Sequence, residues 1–235
     1  MTTRKRISLI ALLSIAVAGV ITPAAEAAAT RYITVSAQGA VKVVPDAVRI
    51  NATATAVAAT SKEALAATAK TSTAVRAAVK TAKIDTKDIA TQSVSVYPEY
   101  KYSNDGGSTL TGYRASQSFT ITVRAADTAG SLFDALVVAG GDNLQINGAT
   151  PFILDSTQSL EAARAAAVRS AKAKATSYAK LMGVKLGKVN YLVENSAPTN
   201  YTPVMAVAKA ESDATVIDLG QQDVTISVTV QWALL

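Results

Sequence analysis

An α+β fold is what this sequence predicts, on three observations. Several segments alternate apolar and polar residues with period 2, the mark of a strand with one buried face. Two long segments instead repeat small apolar residues at helical spacing. The two kinds of segment also follow one another in the same order twice. The economical assembly is a pair of duplicated βαββ-type units making a mainly antiparallel sheet, with the two long helices packed on one face.

The first 27 residues stand apart from that pattern. Met1-Thr2-Thr3-Arg4-Lys5-Arg6 is a basic start, and an apolar run follows from Ile7 to Ile21. Ala25-Glu26-Ala27 then offers an A-x-A cleavage site. Fifteen helical residues span about 22 Å, short of the ~30 Å hydrocarbon core. This favours a cleaved secretory signal at 1–27 over a permanent anchor, leaving one exported domain at 28–235 with no later membrane span.

Within that domain a leading strand is expected over Tyr32–Ala37. The first half (about 46–124) opens with Val48, Ile50, Ala52, Ala54 and Ala56 alternating with Arg49, Asn51, Thr53 and Thr55. Thr60-Ser61-Lys62-Glu63 is a capping box, so a helix over 60–83 follows. Its inner stripe reads Leu65, Ala69, Ser72, Val75, Val79 and Ala82. Strands at 89–101 and 110–124 come next, turned by Asn104-Asp105-Gly106-Gly107. A short helix over Asp127–Ala139 ends at Gly140-Gly141. The second half (about 143–233) repeats the order: strand 143–154, helix 157–182, strand 187–194 and strand 221–233. The second helix carries Leu160, Ala163, Ala167, Ala171, Ala175, Tyr178 and Met182 on its inner stripe and stops at Gly183. Ile84 and Ile89 after the first helix match Val184 and Val189 after the second at equal spacing. Asn195–Gln222 holds turn residues and no lasting period, and is expected to be a long mobile connection.

Composition excludes more than it includes. There is no cysteine and no histidine. Disulfides, thiolate catalysis, Ser-His-Asp chemistry and the usual zinc ligands are therefore absent from the inventory. Removing 1–27 leaves 20 basic and 16 acidic residues, a net charge of +4. That is too mild and too scattered for a nucleic-acid binder. No phosphate loop, dinucleotide fingerprint or Ca²⁺ loop occurs, so no cofactor, metal site or catalytic residue is assigned. Glu211, Asp213 and Asp218 form the nearest carboxylate cluster, and a solvated loop accounts for them.

Two surfaces remain as interface candidates. Tyr97, Tyr100, Tyr102 and Tyr113, with Arg114, flank the first hairpin, where amphipathic rings suit an interface and strand propensity also accommodates them. Arg169 and Lys172, with Arg164, Lys174 and Lys180, make the second helix basic. Such a helix suits an anionic polymer, a membrane surface or an acidic neighbour, and equally an ordinary hydrated face. Asn51-Ala52-Thr53 and Asn200-Tyr201-Thr202 fit the glycosylation sequon, the first of them inside a strand.

Several motifs in order also resemble the SIMPL-domain family. They are Ile33-Thr34-Val35-Ser36-Ala37-Gln38-Gly39, Val44-Pro45-Asp46-Ala47-Val48-Arg49-Ile50, Asp88-Ile89-Ala90-Thr91-Gln92 and Leu110-Thr111-Gly112-Tyr113-Arg114-Ala115-Ser116. Gly183-Val184-Lys185-Leu186-Gly187-Lys188-Val189 and the strand Val224–Val230 complete the likeness. The resemblance implies a periplasmic or secreted envelope protein of the oxidative-stress-defence or immunogenic kind, without established catalysis. Some members of that family assemble into large ring- or channel-shaped oligomers through βαββ-type units, and the resemblance implies the same kind of assembly here. With no thiol, and only Met182 and Met205 after the leader, direct oxidant scavenging has little to work with. The expected role is a non-enzymatic, self-associating envelope protein, the alternative being a binding module or adaptor for an envelope protein or polymer.

Overall fold

Residues 31–104, 106–195 and 215–235 are described by the computed structural model. The expected signal peptide, Asp105 of the hairpin turn, Glu211, Asp213 and the second sequon lie outside the described residues. So does most of the expected 195–222 connection.

The chain runs β1 (Tyr32–Val43), β2 (Ala47–Ala58), α1 (Ser61–Thr81), β3 (Ile89–Tyr102), β4 (Ser108–Val123), α2 (Ala129–Gly140), β5 (Leu144–Phe152), α3 (Thr157–Leu181), β6 (Leu186–Glu194) and β7 (Gln222–Leu234). All pairings are antiparallel, and the α+β class stands. The sheet is divided, however. One sheet has the order β3-β4-β2-β5 and the other β1-β7-β6. The division follows from competition for one edge. The leading strand β1, longer than the expected 32–37, pairs with β7 without interruption from Tyr32↔Ala233 to Val43↔Gln222. β5 is thereby displaced to the free edge of β2. Each sheet then has the same kernel, with β2 beside β4 beside β3 and β1 beside β7 beside β6.

Each long helix covers its own sheet. On α3, Ala163, Ala167, Ala171, Ala175 and Ala179 are buried at strict i, i+4 spacing. They lie over Val35, Ala37, Val224, Ile226, Val228, Val230 and Trp232. Leu160 is half-buried, whereas Tyr178 and Met182 face out.

On α1 the capping box forms as expected. The Glu63 amide donates to Thr60 Oγ1 and the Thr60 amide to Glu63 Oε2, both at 3.2 Å. The buried stripe is shifted, though, to Ala64, Thr68, Thr71, Ser72, Val75 and Val79. Leu65, Ala69 and Ala82 are exposed. Polar residues are tolerated inside because they are bonded. Thr68 donates to the Ala115 carbonyl at 3.1 Å and Ser72 to Gln117 Oε1 at 2.7 Å. The second core gathers Val48, Ile50, Phe119, Ile121 and Val123 beneath Val75, Val79, Leu132 and Leu136.

Contacts stitch the two sheets together. Asp46 Oδ1 accepts the Leu154 amide at 2.8 Å, and buried Gln222 donates to the Pro151 carbonyl at 2.8 Å. The last part of the expected mobile connection is in fact anchored. Thr215 donates its amide to Asp134 at 3.1 Å, and Ile217 and Leu219 pack on the second core.

Arg124 grips Asp88 with two 2.7 Å hydrogen bonds, and the Asp88 carboxylate is buried. The Arg124 hydrogen bond outweighs desolvation and holds Asp88 below its ordinary carboxylate range. A depressed folded-state pKa contributes stability above the unfolded value of about 3.9, and that contribution is lost as pH falls through the folded value. Urea unfolding at pH 7 and pH 3 checks it. The loss of stability on acidification should be smaller in Asp88→Asn than in wild type.

Candidate functional site

In β2 the even-numbered residues Val48 to Ala56 face the helices, so Arg49, Asn51, Thr53, Thr55 and Val57 face the other way. Register extends this polar face across the sheet. Val57 pairs with Arg114 and Arg114 with Tyr97. One row along, Thr55 pairs with Ser116 and Ser116 with Ser95. In the next, Thr53 lies between Ser118 and Gln145.

Hydroxyl pairs hold the rows in place. Thr53 and Ser118 are 3.1 Å apart, Thr55 and Ser116 3.3 Å, and Asn147 donates to Thr53 at 2.9 Å. Thr120 donates to Asn51 Oδ1 at 2.9 Å, so this sequon asparagine belongs to the same ladder. Over the rows lies a cleft of about 730 Å³, lined by Thr53, Thr55, Ala56, Val57, Tyr97, Arg114, Ser116, Asp142, Asn143 and Gln145.

The charge in this cleft is paired. Arg114 Nη2 donates to Glu99 Oε1 at 2.6 Å, and this bond raises the guanidinium above its ordinary value. Glu99 Oε2 is buried without a hydrogen-bond partner. An unmet acceptor of that kind is costly, which marks this corner as held at some expense. The lining supplies hydroxyls, amides and an aromatic ring: the equipment of recognition. Among the described residues no three His, Cys, Asp or Glu side chains gather to hold a metal ion.

Of the expected interface residues, Tyr97 and Arg114 come together in the cleft. Tyr113, opposite Pro98 and Ala58, falls on the helix side of the sheet. Tyr100 and Tyr102 continue toward the hairpin tip, opposite Leu110 and Ser108. Arg169 and Lys172 are exposed on α3, which covers the other sheet. Two of their basic neighbours are engaged, Arg164 with Glu194 at 2.7 Å and Lys174 with the Ser36 carbonyl at 3.3 Å. Thr53, Thr55, Ser116, Asn143 and Gln145 were not foreseen. Each is an ordinary polar strand or loop residue until register brings it beside the others.

A second feature lies at the sheet margins. β3 and β6 are edge strands occupying equivalent places in the two sheets. On β3, Val94, Val96, Tyr97, Tyr100 and Tyr102 are exposed. On β6, Val189, Tyr191, Leu192 and Val193 are exposed, although Val189 and Leu192 pair with buried Trp232 and Val230 while Tyr191 and Val193 pair with outward-facing Gln231 and Thr229. β6 thus shows apolar side chains on both faces.

A family model described as SIMPL, protein of unknown function (DUF541), matches residues 33–232. The chain is similar to a 26 kDa periplasmic immunogenic protein of Brucella melitensis, 30% identical over 211 residues, covering 84% of this chain and 82% of that one. It is also similar to the uncharacterized protein YggE of Edwardsiella ictaluri, 30% identical over 205 residues, covering 85% and 84%. YggE of Escherichia coli K12 is 30% identical over 215 residues, covering 88% and 82%.

Proposed function

The chain belongs to the SIMPL family, and from that premise we propose an exported, non-enzymatic envelope protein that works by associating with copies of itself. Periplasmic placement is supported by the similarity to the Brucella periplasmic immunogenic protein and by the signal-like leader. Among the described residues no helix is long and apolar enough to cross a membrane. A non-catalytic role is supported by a chain without histidine or cysteine. Any part in oxidative-stress defence then runs through assembly, because thiols are absent and methionines few.

The observation that carries self-association is the unprotected edge strand β6, with β3 free of charge and proline as far as Tyr97, ahead of Pro98, Glu99 and Lys101. Soluble proteins blunt edge strands with charge, proline or cover. From Val189 to Val193, β6 has no charged residue and no proline, and Val193 is 47% exposed. Such an edge pairs readily with another, and its side chains are then buried on both faces. Pairing β6 of one copy with β3 of the next is heterologous, and generates a ring or an open row.

Light scattering of the chain lacking 1–27, at micromolar concentration, tests this. Wild type is expected to assemble. Val193→Lys and Val96→Lys, each burying a charge at the joint, are expected to weaken assembly roughly 100-fold. A wild-type protein that stays monomeric overturns the proposal. A second reading, a binding module for an envelope protein or polymer, is favoured by the polar cleft on the four-stranded sheet.

A further inference from the structure

We infer that the cleft over the outer face of β2, β3, β4 and β5 binds a neutral, polyhydroxylated chain, an oligosaccharide in chemical class. This deepens the binding-module reading and is independent of self-association.

Shape is the first support. From Tyr97 on β3 to Gln145 on β5 the cleft crosses three inter-strand gaps, about 14 Å at ~4.8 Å each. Its volume of about 730 Å³ lies in the range of small-ligand sites, roughly 300–1,000 Å³. It therefore takes a short chain of rings lying across the strands.

Chemistry is the second. Most small-molecule sites are apolar with a few polar anchors. This one is lined mainly by groups that both donate and accept: the Thr53, Thr55 and Ser116 hydroxyls and the Asn143 and Gln145 amides. A ligand complementary to such a surface carries many hydroxyls itself. The hydroxyls already bond within the ladder, so an apolar ligand's cost falls chiefly on the Asn143 and Gln145 amides, which it would desolvate without replacing their water partners.

Charge is the third. Arg114 is the cation of the cleft, and Glu99 already neutralises it at 2.6 Å. Asp142, exposed at the opposite margin, repels anions. An anionic ligand would meet the Glu99 and Asp142 carboxylates as like charges beside Arg114, whereas a neutral hydroxyl carries no such penalty. Tyr97, 48% exposed at one end of the cleft, supplies an aromatic ring, a group suited to packing on the C–H face of a sugar.

The test is titration of the chain lacking 1–27 with maltohexaose, cellohexaose and chitohexaose, read by calorimetry and by backbone amide NMR shifts, with heparin as the anionic comparison. At least one neutral oligosaccharide is expected to bind, shifting the amides of Thr53–Val57 and Arg114–Ser116. Tyr97→Ala and the double variant Thr55→Val with Ser116→Ala should each weaken it roughly ten-fold. Their thermal midpoints should stay near wild type, and the shift map on wild type stands even if a variant folds poorly. Silence from all three neutral sugars overturns the inference, as does binding that maps elsewhere. Binding of heparin alone, abolished by Lys172→Glu and indifferent to the cleft variants, also overturns it, while leaving the binding-module reading in place. Loss of both kinds of binding removes that reading too, with self-association decided separately by scattering.

Discussion

Gly39→Val is expected to destabilise the protein by roughly 3 kcal/mol or more, at the upper end of what overpacking costs. Gly39 sits in β1 under α3. A Cβ at this position would lie 2.2 Å from the Ala163 carbonyl oxygen, 2.2 Å from the Ala167 nitrogen and 2.8 Å from the Ala166 carbonyl carbon. These are backbone atoms of a helix, so no rotamer change relieves the clash. The helix must lift by an ångström or more. Lifting it separates the alanine seam from Val35, Val228 and Val230 all along the sheet, and dispersion contacts fall away steeply with such gaps. The seam works only as a set: alanine at every fourth position of α3 and no side chain on Gly39 let helix and strand meet at backbone distance. Gly39→Ala carries the same clash with one methyl and should lose most of the same stability. Urea unfolding of both variants decides the point. A Gly39→Val midpoint indistinguishable from wild type refutes the close packing.

Most of that seam was legible in the sequence because it is local. Four alanines from Ala163 to Ala175 at i, i+4 spacing declare a helix face without reference to anything else, although the seam ends on Ala179 and not on the expected Tyr178 and Met182. The alternation in Val48–Ala56 and Phe119–Val123 declares strands in the same way. The Thr60–Glu63 box and the Asn104–Gly107 turn are equally self-contained. What stayed hidden was relational. Tyr32–Val43 and Leu144–Phe152 are both strands, and no residue within either says which will pair with β7; the long uninterrupted ladder with β1 decides it. On α1, Leu65 is the more apolar choice, yet Thr68 goes inside because the Ala115 carbonyl waits there as an acceptor, while Ser72, Val75 and Val79 keep their expected places on the stripe. The site obeys the same logic. Tyr97 and Arg114 were visible as a ring and a cation near one hairpin, but the Thr53, Thr55 and Ser116 ladder has meaning only once β2 and β4 are in register. Arg169 and Lys172, adjacent in feeling to the same role, belong to the other sheet.

The second large effect is expected from Phe119→Ala, on the order of 3–5 kcal/mol. Phe119 is 1% exposed and heads the fully buried side chains by size. Its cross-strand neighbours are Ala52 and Thr91, both too small to close the hole. Above it lie Val75 and Val79 of α1, whose stiff branched side chains have little freedom to sink. Arg76, with its guanidinium 5.3 Å from the ring centroid, loses its aromatic partner as well. The only tryptophan, Trp232, lies buried in the other core and so reports on the opposite half. The two sheets are tied by the Asp46–Leu154 and Gln222–Pro151 bonds, and by the segment leading into β7, which packs on the second core at Ile217 and Leu219. Damage at Phe119 should therefore lower the urea midpoint seen by Trp232 fluorescence as far as the one seen by far-UV circular dichroism. If the tryptophan signal keeps its wild-type midpoint while the dichroism transition falls, the two cores unfold separately and these ties do not couple them.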